Sequence, residues 1–223
     1  MAHLDLRSTT LSDADTIQTS QAYARFGKRA LDLVIAVALL PILIPMIAFL
    51  CLLTRRDGAP GLFSHTRIGQ HGHSFTCWKI RTMVPDAETR LAHHLGTNAD
   101  AAAEWKRTQK LTNDPRVTRL GHVLRRTSLD ELPQILNVLR GDMSLVGPRP
   151  ITADELSRYG LHAQTYLNLK PGVTGLWQVR GRTNGCYEER LHMDQRYARR
   201  VNLWHDLFLI MCTVCVIIRP TGR

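Results

Sequence analysis

Asp130 and Glu131 are adjacent carboxylates in surroundings that suit phosphate chemistry. Arg125 and Arg126 precede them by about one helical turn, and Pro133 suits the first position of a following helix, where its missing N–H costs nothing. The dipole at a helix N-terminus favours an ionised carboxylate. An ionised Asp130 could attack phosphorus to form an aspartyl phosphate, and the pair could bind Mg²⁺ together with phosphate oxygens.

The same segment also admits a purely structural interpretation. Ser128 and Glu131 have the spacing of a capping box, in which each side chain accepts a hydrogen bond from the other residue's backbone N–H. Acidic residues are ordinary in the first turn of a helix. Pro133 weakens this alternative, because with Ser128 as the cap it would interrupt the backbone hydrogen bonds of the second turn. Both interpretations stay open on local pattern alone.

Three further basic side chains could contact a phosphate bound beside Asp130 and Glu131. Arg149 lies between Pro148 and Pro150, which fixes the backbone and lowers the entropy lost on binding. Arginine can bind a phosphate through two parallel hydrogen bonds. Lys79 and Arg81 come from a predicted strand. Each cation alone could equally form a surface ion pair, but together they favour a phosphate-bearing ligand.

An uncharged stretch from Leu33 to Leu53 is the element most able to position this chemistry. About 20 apolar residues reach across a bilayer as a helix. Pro41 and Pro45 lie at its middle, where each removes a backbone hydrogen bond and favours a bend. Basic residues, which favour the cytoplasmic side of a membrane, flank both ends of the stretch. The charges therefore do not indicate which end of a straight transmembrane helix would be cytoplasmic. We predict a re-entrant hairpin with both ends cytoplasmic; a kinked transmembrane helix and a buried helix of a soluble protein are the alternatives.

The patterning divides the chain into four parts. Residues 1–24 are predicted to form a mobile polar tail, and residues 25–60 the re-entrant helix with its exit turn. Residues 61–202 suit one catalytic domain. Residues 203–223 contain a second apolar run, too short to span, that is predicted to lie at the membrane surface or to pack as a core helix. The expected fold class is α+β, mainly helical, with a small cytoplasmic catalytic domain and surface-lying helices.

Composition narrows the function classes. The chain has 223 residues, a formal charge of +10 and five cysteines. Such a positive excess fits nucleic acid, anionic lipid or a phosphorylated substrate, and a membrane element favours the last two. The odd number and scatter of the cysteines argue against a disulfide framework. The chain has neither a P-loop nor a dinucleotide-binding fingerprint.

Local patterns predict the elements of the domain. Two short alternating segments, 62–68 and 74–83, indicate a hairpin. An alanine-rich region, 86–110, indicates two helices separated near Gly96. The remaining predictions, in chain order, are a helix over 117–126, a short helix from Pro133 to Arg140, a helix over 152–169, a turn at 170–175, an extended piece at 176–179 and a charged helix over 186–200.

Six strings in the chain form a specific set: Lys28-Arg29-x-x-Asp32, Arg67-Ile68-Gly69, Lys79-Ile80-Arg81-Thr82-Met83, Ser128-Leu129-Asp130-Glu131-Leu132-Pro133-Gln134, the run from Gly141 to Pro150, and the run from Lys170 to Val179. Together they resemble the bacterial sugar transferases, the monotopic phosphoglycosyl transferases, from about residue 25 to the C-terminus. In its length the chain resembles the exopolysaccharide priming enzymes that load galactose or glucose phosphate.

The resemblance implies an enzyme that transfers sugar-1-phosphate from a UDP-sugar to polyprenyl phosphate, typically undecaprenyl phosphate, and releases UMP. It implies the priming step of exopolysaccharide synthesis at the inner membrane, with the catalytic domain in the cytoplasm. By motif position, Asp130 would be the nucleophile and Glu131 its partner, both binding Mg²⁺. Lys79, Arg125 and Arg149 would be phosphate-contacting or structuring cations. The sugar and the oligomeric state, a homo-oligomer included, are left open.

Two other classes of function compete with this expectation. A non-enzymatic, membrane-anchored scaffold of a polysaccharide assembly complex would use the same basic surface to gather partners. A membrane-anchored nucleic-acid binder would use the same charge, but the sequence lacks aromatic–basic interleaving and a helix-turn-helix pattern. We therefore expect no nucleic-acid partner. The strings that carry the family resemblance favour the enzyme over the scaffold.

Overall fold

The computed structural model describes residues 22–108, 111–180 and 187–218. These residues are mainly helical with two small sheets, which confirms the expected mixture of helix and strand. The predicted tail lies almost entirely outside the described residues, and a π-helical turn at Tyr23–Gly27 continues directly into the first long helix.

The helices and strands follow one another without long gaps. The helices are α1 (Lys28–Thr54), α2 (Ala87–Thr97), α3 (Ala99–Thr108), α4 (Arg119–Thr127), α5 (Gln134–Arg140), α6 (Ala153–Ser157), α7 (Ala163–Leu167), α8 (Leu176–Arg180), α9 (Tyr187–Ala198) and α10 (Leu203–Ile218). The strands are β1 (Leu62–Ile68), β2 (Ser74–Ile80), β3 (Ser144–Val146) and β4 (Gly172–Thr174).

The apolar helix α1 is helical through both Pro41 and Pro45. Because proline has no N–H, the carbonyls of Val37 and Pro41 lack their usual partner inside the helix. The helical stretch Tyr23–Asp57 is the part of the described chain that is long and apolar enough to cross a membrane by length and composition. Re-entry into the membrane stays a prediction.

The N-terminal end of α1 is bound to the domain by two charged side chains. The Arg29 guanidinium donates to two carbonyls at the C-terminal end of α5, where a positive charge also complements the helix dipole. The Asp32 carboxylate is only 3% exposed. It accepts hydrogen bonds from the Leu145 backbone N–H at 2.8 Å and from Ser144 Oγ at 3.1 Å. The start of α1 is therefore fixed against β3.

The C-terminal end of α1 is bound to the same domain. The Arg81 guanidinium, just after β2, donates to the Thr54 carbonyl at 2.7 Å and also to Pro60 O and the Asp57 carboxylate. Gly61 passes so close to the helix that a Cβ there would lie 2.5 Å from the Cys51 carbonyl oxygen. Both ends of α1 therefore contact the part of the described chain that follows the helix.

The predicted hairpin is confirmed. β1 and β2 pair antiparallel from Leu62↔Ile80 to Ile68↔Ser74, so the second strand ends at Ile80 rather than at Met83. Asn137, fully buried on α5, binds the hairpin from behind. Its Nδ2 donates to Thr76 O at 2.7 Å and its Oδ1 accepts from the Trp78 N–H at 3.2 Å.

The predicted turn at 170–175 and extended piece at 176–179 are wrong. β4 pairs in parallel with β3, and the following residues form α8. β4 forms because two segments far apart in the sequence come into backbone contact at glycines, which the local pattern could not reveal. A Cβ on Gly147 would lie 2.3 Å from the Lys170 carbonyl oxygen, and one on Gly172 would lie 2.1 Å from the Gly147 nitrogen. Glycine at both positions lets the two segments approach closely enough to pair.

The single helix predicted over 152–169 is also wrong, because α6 and α7 are separated by a 3₁₀ turn containing Gly160 at φ +50.

The other helix predictions are confirmed. The described part of the region predicted over 86–110 forms two helices, α2 and α3, which meet at Asn98, and the charged helix predicted over 186–200 is α9. Pro133 precedes α5 as its N-cap, one position earlier than expected.

The second apolar helix, α10, is two-sided. Leu209 and Asp206 are fully buried, and Asp206 accepts hydrogen bonds from Tyr197 Oη at 2.9 Å and from Lys28 Nζ at 2.6 Å. The opposite face exposes apolar side chains, with Trp204 79% exposed. One face of the helix therefore packs on the core, as one of the two alternatives predicted, and the other face is left apolar and open. A position at the membrane surface stays a prediction.

Removing the Asp32 carboxylate should destabilise the protein. Asp32→Ala leaves two buried donors without a partner, so we expect a loss of about 2–5 kcal/mol in the free energy of unfolding. Asp32→Asn keeps an oxygen that can accept both bonds and should lose less. Unfolding in detergent micelles measures both, with the exposed Asp100→Asn as a control expected to stay within about 0.5 kcal/mol of the parent. Equal losses for the alanine and asparagine variants would assign the effect to charge rather than to the hydrogen bonds.

Candidate active site

Asp130 and Glu131 lie in a 3₁₀ turn, Leu129–Glu131, between α4 and α5. Ser128 ends α4 in the left-handed region at φ 58, and its side chain caps neither helix. The capping-box interpretation is therefore wrong. Pro133 explains the choice, because a helix starting at Ser128 would need the N–H that proline lacks.

Two of the predicted cations meet at Glu131. Lys79 Nζ, from β2, lies 2.7 Å from Glu131 Oε1. Arg149 Nη1, from the loop after β3, lies 3.9 Å from the same oxygen. Lys79 and Glu131 are about one-fifth exposed, whereas the Arg149 side chain is nearly half exposed. The structure thus brings together three residues that are far apart in sequence, with Arg149 still accessible to a ligand.

Asp130 is the most buried of the predicted site residues, at 8% exposure. Burial raises the pKa of its carboxyl above the ordinary value, with Glu131 adding to the rise, while Lys79 and Arg125 act in the opposite direction. The contribution expected of the helix dipole stays a prediction. Lys79 and Arg125 are the neighbouring cations that oppose the cost of ionisation.

Arg125 supports Asp130 from α4. Its Nε donates to Thr82 Oγ1 at 2.9 Å. Burial lowers the pKa of the Arg125 guanidinium, and the charge of Asp130 acts to raise it. Because arginine stays protonated at any physiological pH, Arg125 provides a fixed positive charge beside the buried carboxyl.

The backbone that carries Arg149 is bound by a second ion-pair network. Arg190 Nη2, from α9, donates to the Arg149 carbonyl at 3.1 Å. Glu155 lies 3.5 Å from Arg190 Nη1 and 3.1 Å from Arg67 Nη1. Glu155 also closes a capping box with Thr152 at the start of α6. The loop after β3 is therefore fixed from two sides while its arginine points to the cleft.

Arg81 is placed differently from the other predicted cations. It lines the same cleft, but its guanidinium donates to Thr54 O, Met83 O and Asp57. These contacts bind the end of α1. A direct phosphate contact by Arg81 stays a prediction, and its position supports a structuring role.

These residues line one open cleft with a volume of about 1010 Å³, at the upper end of ordinary ligand sites. Six Lys or Arg and four Asp or Glu side chains line it, so the excess charge suits an anion. The lining residues are Phe63, His65, Arg67, Cys77, Lys79, Arg81, Thr82, Met83, Val84, Pro85, Asp86, Ala87, Glu88, Thr89, Arg125, Arg126, Ser128, Asp130, Glu131 and Arg149.

The donor set in this cleft fits a hydrated magnesium ion better than a closed metal site. Among the described residues, no cluster of three or more His, Cys, Asp or Glu side chains could hold a metal. Magnesium keeps several waters and needs only one or two carboxylates plus substrate phosphates. Asp130 and Glu131 supply that pair of carboxylates on the cleft wall.

The sequence reasoning missed several residues that build the site. Arg67 belongs to a string already singled out, but nothing there indicated its partner. Glu155 and Arg190 carried no sequence signal, because their roles depend on an ion-pair network between distant helices. Thr82 followed Lys79 and Arg81 in one string without a predicted role.

Comparisons with known proteins agree on one kind of relative. The profile of a family described as bacterial sugar transferase matches residues 23–220. The chain is 46% identical over 199 residues to the undecaprenyl-phosphate galactose phosphotransferase of Salmonella typhimurium, covering 89% of this chain and 42% of that protein. It is 42% identical over 197 residues to the exopolysaccharide production protein ExoY of Rhizobium meliloti, covering 88% and 87%.

A third relative is the UDP-glucose:undecaprenyl-phosphate glucose-1-phosphate transferase of Escherichia coli, at 36% identity over 199 residues, covering 85% of this chain and 40% of that protein. The chain therefore spans about two fifths of the length of the Salmonella and Escherichia relatives and most of the length of the Rhizobium one.

Removing the charge of Asp130 should stabilise the fold. A carboxyl whose pKa is higher in the folded protein than in the unfolded chain favours folding while protonated and opposes it once ionised. Asp130→Asn should therefore raise the Tm at pH 7 by a few degrees. The gain should shrink as the pH falls toward 3.8, the ordinary aspartate value, because the carboxyl is then protonated in both states.

Thermal unfolding at several pH values, with Asp100→Asn as the exposed control, measures this difference. A lower Tm for Asp130→Asn at pH 7 would mean that Lys79 and Arg125 outweigh the burial of the carboxylate.

Proposed function

The chain belongs to the bacterial sugar transferase family, and from that membership we propose that it transfers a hexose-1-phosphate from a UDP-sugar to undecaprenyl phosphate and releases UMP. The observation that carries this proposal is the acidic pair Asp130–Glu131 in a cation-lined cleft next to an apolar helix. Relatives named for galactose and for glucose transfer favour one of these two sugars. The Rhizobium relative, which is named for exopolysaccharide production, favours a role in the priming step of exopolysaccharide synthesis.

The first half-reaction begins at the Asp130 carboxylate. One Asp130 oxygen attacks the phosphorus that bears the sugar, the bond from that phosphorus to the UMP oxygen breaks, and UMP leaves with the electron pair. Arg125 keeps a positive charge beside Asp130, and Lys79 lies close enough to favour its ionised form. The product is an aspartyl phosphosugar.

The second half-reaction returns the enzyme to its starting state. An oxygen of the lipid phosphate attacks the same phosphorus, and the Asp130 carboxylate leaves. Arg149 is exposed enough to bind a phosphate while its backbone is fixed by Arg190. Phosphoryl transfer of this kind depends mostly on positioning and on the stabilisation of charge on the phosphate oxygens.

Asp130 and Glu131 would hold Mg²⁺ together with the phosphate oxygens of the donor. Such an ion, when bound, would neutralise charge that develops on the pyrophosphate. Lys79, 2.7 Å from Glu131 Oε1, would provide a further positive charge close to the same phosphates.

The attachment of α1 supports re-entry of this helix. The basic residues that flank both ends of the apolar run support a location at the inner membrane with the domain in the cytoplasm. A straight helix of this length reaches about 40 Å, and a hydrocarbon core is about 30 Å thick. A spanning helix would separate its ends by the bilayer, yet Arg29 and Arg81 bind the two ends to one domain. Bending at Pro41 and Pro45 would bring both ends to one side.

The exposed apolar faces support contact with lipid. Val34, Ile42 and Leu52 on α1 are each at least 65% exposed, as is Trp204 on α10. Exposed apolar surface of this extent marks a site of membrane or protein contact. A domain with α1 inserted and α10 at the surface would present the cleft at the depth of lipid phosphates.

Exchange of label between UMP and UDP-sugar tests the covalent step without any lipid. Purified protein should exchange labelled UMP into UDP-galactose or UDP-glucose, EDTA should stop the exchange and Mg²⁺ should restore it. Asp130→Asn should lower the exchange rate by about 10³-fold or more, because the nucleophile is lost. Asp100→Asn, an exposed variant with the same change of charge, should exchange like the parent.

Each alternative predicts a different result. Lipid-dependent turnover without exchange would indicate a single displacement and remove Asp130 as the nucleophile. Neither exchange nor turnover, with lipid and protein binding intact, would favour the scaffold.

Cysteine labelling tests the topology of α1. In a background with the native cysteines replaced by serine, Arg25→Cys and Arg56→Cys put one thiol at each exposed end of the helix. Both should react with a membrane-impermeant maleimide in inverted vesicles, and neither should react from the periplasmic side of spheroplasts. One thiol reacting from each side would establish a spanning helix.

A further inference from the structure

A second cavity adjoins the charged cleft. Its volume is about 250 Å³, and it shares Ser128 and Glu131 with the cleft. Its other lining residues come mostly from the apolar sides of α1, α5, α8 and α10 and are Leu39, Leu43, Leu132, Ile135, Leu145, Val173, Thr174, Gln178, Val179, Thr213 and Val216. A ligand that occupies both spaces would need an anionic end and an apolar end.

Gln178 is the polar group at the junction of the two spaces. It is 7% exposed, and its Oε1 is buried without a hydrogen-bond partner among the described residues. On one side it lines the apolar cavity. On the other it lines a void of about 10 Å³ together with Lys79, Glu131 and Arg149. A buried carboxamide oxygen without a partner is costly and rare, so its presence here points to a ligand that fills the space beside the side chain.

The walls of the cavity indicate where such a ligand would come from. Leu39 lies on α1 and is 40% exposed, so it reaches both the cavity and the outer apolar face. Val216 lies on α10, whose neighbouring residues Met211 and Val214 are exposed. An apolar chain could therefore enter between these helices from the lipid without crossing water.

We propose that this cavity binds the isoprenyl units next to the phosphate of the acceptor lipid, and that the Gln178 carboxamide donates a hydrogen bond to that phosphate. The carboxamide has two N–H donors, and rotation about its last bond exchanges them with the oxygen. The UDP-sugar donor has no apolar chain and would leave the cavity empty. The proposal rests on the proposed function, since it assigns the site of the second substrate.

Two tryptophan variants on α10 test the cavity. Val216→Trp fills it, whereas Val214→Trp puts the same side chain on the exposed face of the same helix. Turnover is measured with farnesyl phosphate, which has three isoprenyl units, and with dimethylallyl phosphate, which has one. In the parent and in Val214→Trp, farnesyl phosphate should have the higher kcat/KM. In Val216→Trp this advantage should fall by about tenfold or more, the equivalent of two buried CH₂ groups.

Gln178→Leu tests the polar contact. The KM for both acceptors should rise by about tenfold, while the KM for UDP-sugar changes by less than about twofold. The Tm should stay equal or rise, because a buried carboxamide oxygen without a partner has been removed. A lower Tm with equal loss toward donor and acceptors would assign Gln178 a structural role and overturn the proposal.

One further measurement keeps the test decisive even if the variants fail to fold. Photolabelling of the parent protein with a diazirine-bearing farnesyl phosphate should modify α1 near Leu43 and α8 near Val179, and it needs no variant. Labelling confined to outward residues such as Phe49 and Met211 would overturn the proposal, as would equal chain-length preference in the two tryptophan variants. Failure of the proposed function itself differs, because the parent would then show no exchange of UMP.

Discussion

The ion pair between Lys79 and Glu131 is the contact on which the candidate site depends. It joins the hairpin to the turn after α4, and Arg149 approaches the same carboxylate from the loop after β3. Partly buried charges are costly unless each has a partner. Opposite charges from three distant segments provide those partners here. The adjacent Asp130 is then tolerated at low exposure, where its carboxyl has a raised pKa and a cation on either side.

The attachment of α1 gives this cleft its relation to the apolar surface. Asp32 binds β3 at one end of the helix, and Arg81 binds the Thr54 carbonyl at the other. Arg81 thus links the strand that carries Lys79 to the end of the apolar helix. A shift of the helix would therefore be transmitted to the cleft through these hydrogen bonds between side chains and backbone. The position of the candidate site relative to the apolar helix is consequently built into the fold.

Two of the sequence strings, Gly141–Pro150 and Lys170–Val179, contain glycines that let two backbone segments approach each other closely. The segment before Arg149 and the segment before Gln178 meet at glycines, where a Cβ on Gly175 would lie 2.1 Å from the Gly147 carbonyl oxygen. This contact orients Arg149 toward the charged cleft and Gln178 toward its junction with the apolar cavity. The glycines in these strings are therefore positioning residues, and the chemistry comes from the side chains that follow them.

The sequence by itself determined the apolar helix, the hairpin, the pair of helices α2 and α3 and the acidic pair, because each of these depends on local periodicity or on neighbouring residues. It also gave the family, through strings specific enough to need no contact information. Only the tertiary structure decided that β4 replaces a turn, that Arg81 binds the end of α1 and that Gln178 lies between two cavities. The physical reason is that close backbone approach, burial and ion pairing act between residues far apart in the chain. No local pattern records which distant partner a side chain will meet.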